Sequence, residues 1–128
     1  MSFHRRHLSD ENIIALATNN DFQSFQKSMT SANDYMFQGN FSHCFWEFFN
    51  EEEQAREPLW MMLRSSDDNK NDTIKIVCKS WEIVINPDNN VDHKESLNKY
   101  LDLVESSPNK DENLLKIIDI IRKRIKDI

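Results

Sequence analysis

A chain of 128 residues is long enough to bury one hydrophobic core and too short for two, and 38% hydrophobic with 30% charged side chains excludes a disordered chain. A net charge of −6 excludes a uniformly basic nucleic-acid-binding surface, and no apolar run approaches the roughly 20 residues that span a bilayer. One glycine and three prolines are too few for phosphate-cradling loops or for the tight turns of a strand-rich sandwich, so the expected class is all-α, with helices joined by Asn, Asp and Ser loops.

Residues 1–8 carry Arg5, Arg6, His4 and His7 before any periodicity begins and read as a flexible basic arm. A single helical domain then occupies 9–128. Ser9 or Asp10 can cap a first helix through Asn19, with Ile13, Leu16 and Ala17 on one face. A break at Asn19-Asn20-Asp21 separates it from a second helix over about 21–29 that buries Phe22, Phe25 and Met29, which makes a helical hairpin. Residues 30–40 read as a connection holding about one helical turn. The segment 41–50, FSHCFWEFFN, places Phe41, Phe45, Phe48 and Phe49 on one helical stripe and Trp46 off it. Such stripes are core, yet five large aromatics in ten residues exceed what a short helix buries, which makes Phe45, Trp46 and Phe49 candidate contact anchors.

The stretch 57–88 organises the rest. Pro58 stands just inside a helix start, where its missing N–H costs nothing, and Leu59-Trp60-Met61-Met62-Leu63 follows. After a polar loop, Asp72 or Thr73 caps a second helix with Ile74, Val77, Cys78 and Trp81 on one stripe. The same residues, TIKIVCKSWEIVI, are rich enough in β-branched side chains for a strand hairpin, but no Asn-Gly or Asp-Gly turn divides them, and helix is the favoured reading. A further helix runs over about 94–105 through Leu97, Tyr100, Leu101 and Val104. The last begins at Asp111, with Leu114, Leu115, Ile117, Ile118, Ile121, Ile125 and Ile128 as its apolar stripe. Asp111 and Glu112 complement its N-terminal dipole, and Arg122, Lys123, Arg124 and Lys126 its C-terminal one.

Glu57-Pro58-Leu59-Trp60 resembles the threonine-proline-leucine-histidine opening of an ankyrin repeat. Thr73-Ile74-Lys75-Ile76-Val77 is similar to the second helix of that repeat, and Ile85-Asn86-Pro87-Asp88 to the turn after it. Glu95-Ser96-Leu97-Asn98, Tyr100-Leu101 and Leu114-Leu115-Lys116-Ile117-Ile118 resemble a following repeat. Residues 13–29 resemble a preceding one, while 33–53 lie outside the pattern. The resemblance implies helical hairpins stacked as a short irregular ankyrin-like array that binds another protein. A compact helical bundle is the alternative architecture.

Chemistry is sparsely signalled. His4, His7, His43, Cys44, Cys78 and His93 are the soft metal candidates, but only His4 and His7 have ligand spacing, and a structural zinc needs four ligands. There is no nucleophile elbow, P-loop, dinucleotide fingerprint or HExxH motif. A catalytic pair of Cys44 or Cys78 with His43 or His93 is the one nucleophilic arrangement open; neighbours such as His43 and Cys44 point apart on a helix. The two cysteines read as buried thiols.

The expectation is therefore a non-enzymatic protein-interaction module without a cofactor or metal, contacting its partner through Phe45, Trp46, Phe49, Trp60 and Arg64. The abundance of Asn, Lys, Ile, Asp and Phe suits the A/T-rich genome of a virus, protist or endosymbiont. The ankyrin resemblance implies a viral or symbiont protein that binds and inhibits a host factor. The alternative is a small helical nucleic-acid binder using Arg5, Arg6, Arg122, Lys123, Arg124 and Lys126. A homodimer through the last helix is a third reading. With no apolar segment behind its basic start, the chain is expected to be intracellular, cytoplasmic or nuclear.

Overall fold

A computed structural model describes residues 6–8, 10–30, 35–37, 39–65, 69–86, 91–106 and 111–126. The fold is all-α. Its elements are a short strand β1 (Arg6–Leu8), α1 (Asp10–Asn19), α2 (Phe22–Thr30), a second short strand β2 (Tyr35–Phe37), α3 (Gly39–Glu51), α4 (Arg56–Arg64), α5 (Asn69–Ile85), α6 (Val91–Glu105) and α7 (Glu112–Lys126). A 3-10 turn, Glu53–Ala55, leads into α4.

The helix starts follow ordinary capping chemistry. Asp21 accepts the Ser24 N–H at 2.8 Å on its side chain and the Phe25 N–H at 2.9 Å on its carbonyl, so it is the cap of α2 rather than its first residue. The Ser24 hydrogen bonds hold the Asp21 carboxyl below the usual carboxylate range. Asp111 does the same for α7 through the Asn113 N–H at 2.7 Å. In α4, Pro58 lies within the first turn, where backbone N–H groups have no intrahelical acceptor.

Two expectations need correction, while the helix favoured for the β-branched run is what forms. α5 starts three residues before Asp72, and Thr73 is a buried residue inside it rather than a cap. Its β-branched run forms one helix, because α5 is buried around more than half its circumference. Thr73, Ile74, Ile76, Val77, Cys78, Ser80, Trp81 and Ile83 are all covered, while a stripe through Asp72, Lys75, Lys79 and Glu82 faces out, as does Ile85 at the helix end. Tertiary burial overrides the modest helix penalty of β-branching. Finally, the basic arm and the 30–40 connection meet. Arg6, His7 and Leu8 pair in parallel with Tyr35, Met36 and Phe37, and the α1–α2 hairpin supplies the crossover that parallel pairing requires. Three-residue strands leave no alternation long enough to read in sequence.

One core cluster runs through all seven helices. Among the described residues, α1 and α2 pack on α4, α6 packs on α5 and α7, and α7 packs on α4 and α5. The α1–α2 hairpin thus sits on α4, and the α6–α7 hairpin on α4 and α5. α3, the aromatic segment, lies along α5. Phe25 meets Phe49 edge-on at 5.4 Å, and Phe48 meets Trp81 at 6.3 Å and 90°. Side chains fasten the helix ends. Arg56 donates to the Phe49 and Asn50 carbonyls at 2.9 and 3.0 Å, satisfying the C-terminus of α3. Asn50 in turn donates to the Met29 carbonyl at 3.1 Å, at the end of α2.

Candidate functional site

The residues expected to contact a partner do not form one surface. Phe45 and Phe49 are 0% exposed and packed in the core, so neither can touch a partner without opening the fold. The aromatic excess of 41–50 is absorbed because α3 is covered by α5 on one side and α2 on another. Trp46 is half-buried, and the His43 ring stacks on it at 6.3 Å and 24°. Trp60 and Arg64 do come together, but on the end of α1. The Trp60 indole N–H donates to the Asn20 carbonyl at 3.2 Å, and Arg64 Nη1 donates to the Asn20 and Ala17 carbonyls at 2.8 and 3.1 Å. The Arg64 guanidinium lies 4.6 Å from the Trp60 ring centroid. These two residues close a helix end.

The basic cluster of α7 is largely neutralised. Arg122 pairs with Asp102 at 2.7 Å and Glu105 at 2.9 Å, Lys123 with Asp119 at 3.0 Å, and Arg124 with Glu52 at 3.4 Å. Lys126 is exposed. Arg5 lies outside the described residues, and Arg6 is a strand residue of β1.

No catalytic pair forms around Cys44. Burial first, then the Glu82 and Glu47 carboxylates, push its thiol above the ordinary value, the reverse of what a nucleophile needs. His43 faces Glu47 at 3.2 Å instead, and Glu47 also accepts the Trp81 indole N–H. Cys78 is fully buried while His93 is exposed. Among the described residues, no three His, Cys, Asp or Glu side chains come together as a metal site requires, and no helix is long and apolar enough to cross a membrane.

The concave surface that stands out lies elsewhere, between α5 and α6. This groove encloses about 470 Å³. Its floor is Ile76, Ile83 and Leu97, all nearly fully buried. α5 supplies a wall of Asp72, Lys75, Lys79 and Glu82, and α6 supplies His93, Ser96 and Tyr100. Tyr100 is 38% exposed, and Leu103, one turn further on, is 71% exposed. Burial, followed by the charge of Asp72, pushes the Tyr100 phenol above its usual value, so it stays a neutral O–H donor at neutral pH. Among the described residues of α6, Leu97 and Leu101 are the ones fully covered, and Tyr100 and Leu103 stay exposed.

Sequence reasoning placed Tyr100 on the buried stripe with Leu97, Leu101 and Val104. A signal was present nonetheless. Tyr100 and Leu103 form an i, i+3 apolar pair that widens the stripe of Leu97, Leu101 and Val104. No protein-family model matches the chain, nor does any curated protein or solved structure.

Proposed function

We propose that this chain is a non-enzymatic protein–protein interaction module whose contact surface is the α5–α6 groove with Tyr100 and Leu103 on its rim. The observation that carries the reading is a groove over buried Ile76, Ile83 and Leu97 in which Tyr100 remains exposed, with Leu103 exposed one turn further along α6. Neighbouring Tyr and Leu side chains around a desolvated pocket are the usual anatomy of a contact patch. The ion-paired state of Arg122, Lys123 and Arg124 favours a protein over a nucleic acid, since cations already held by carboxylates have little left for phosphates.

The test is residue-specific photocrosslinking of the full chain in an extract of its source organism. A photoreactive phenylalanine analogue at Tyr100 or Leu103 is expected to capture the same distinct protein. The analogue at Lys123, on the far helix, should capture none. Equal adducts at all three positions, or none at the groove positions, would sink the reading.

A further inference from the structure

Resting on that reading, we infer that the groove takes an acidic amphipathic helix of a partner protein, with two carboxylates one turn apart seated on Lys75 and Lys79. These lysines stand at i and i+4 on the outward stripe of α5, directly beside the apolar floor. Neither has an ion-pair partner among the described residues; Lys70, Lys94, Lys116 and Lys126 share that, but of these six only Lys75 and Lys79 line this groove. In a protein of net charge −6, two lysines one turn apart on a groove wall, with no ion pair among the described residues, present a local complement to negative charge.

The pattern is narrower than a general basic patch. Asp72 and Glu82 bracket the lysines, so the wall reads negative, positive, positive, negative along α5. A uniformly acidic strand or a nucleic-acid backbone would meet repulsion at both ends, while a helix acidic only at its centre would not. The dimensions agree. From 72 to 83 the α5 wall rises about 17 Å, the length of roughly three helical turns. A helix of that length places apolar side chains at i, i+3 and i+7 on the floor and turns its i, i+4 carboxylates to the lysine wall.

The inference is tested by selecting from a displayed library of amphipathic helices, about three turns long and randomised off the apolar stripe, on the full chain as bait. K75E/K79E and Y100A/L103A chains, shown by circular dichroism to be folded, serve as parallel baits. Enriched helices should carry Asp or Glu at two positions one turn apart. The K75E/K79E bait should enrich Lys or Arg there instead and bind the original helices on the order of tenfold more weakly. Enrichment that Y100A/L103A abolishes but that shows no acidic pair overturns the charge assignment and leaves the groove standing. Enrichment indifferent to both variants, or no enrichment at all, overturns the groove reading as well. A homodimer that either variant dissociates assigns the groove to a second copy and overturns the proposal.

Discussion

The guanidinium of Arg64 bonds to the Ala17 and Asn20 carbonyls and stacks on Trp60, so a charged residue at the surface acts here as part of the scaffold. A cation at a helix C-terminus is opposed to the negative end of the dipole, and its hydrogen bonds satisfy carbonyls that have no intrahelical donor. Arg64→Ala is therefore expected to lower the unfolding free energy by about 1–2 kcal/mol. Arg64→Lys should recover only part of this, because an ammonium neither forks between two carbonyls nor stacks on indole in the same way. Urea unfolding at constant m-value checks both; an Arg64→Ala midpoint equal to wild type would refute the role. Sequence could not assign it, since the acceptors lie 44 and 47 residues away and nothing local to Arg64 marks them. Phe45 and Phe49 illustrate the other limit. Their stripe was legible from spacing, but whether that stripe faced a partner or the core depended on where α5 came to lie.

Among the helices, α7 and α6 differ in what holds them. α7 buries Leu114, Ile117, Ile118, Ile121 and Ile125, each contributing about 1.5–3 kcal/mol by burial, while among the described residues α6 fully covers only Leu97 and Leu101. The Arg122 ion pairs with Asp102 and Glu105 join α6 to α7, but those groups are partly exposed, so each pair contributes roughly 0.2–1 kcal/mol. Native-state hydrogen exchange should therefore find the amides of α6 the least protected of α4 to α7, and Arg122→Ala should lower their protection further without changing that of α5. Equal protection of α6 and α7 would count against this account. Periodicity revealed the helices themselves, including the long apolar stripe of α7. It could not reveal the β1–β2 pairing, which joins two three-residue segments with no pattern of their own, nor the early start of α5 in a polar stretch.

For the molecule as a whole, the middle pair of helices gathers the contacts, and the aromatic seam between α3 and α5 closes the core. Removing a ring from that seam, as in Phe48→Ala, should cost about 3–5 kcal/mol, a large share of the roughly 5–15 kcal/mol that separates folded from unfolded domains. Tyr100→Ala and Leu103→Ala should change the thermal midpoint little, about the effect of 0.5 kcal/mol or less. A calorimetric series of the three variants separates core from contact surface, and a Tyr100→Ala loss as large as that of Phe48→Ala would move Tyr100 into the core. The α3–α5 seam also bears on how the chain is made. α3 leaves the ribosome with Phe45, Phe48 and Phe49 still uncovered, and the stretch from Glu51 to Ile85 that completes α5 takes roughly two to seven seconds to synthesise at about 5–20 residues per second. For that interval the nascent protein displays an aromatic face that the folded protein hides completely, and it is then most open to aggregation.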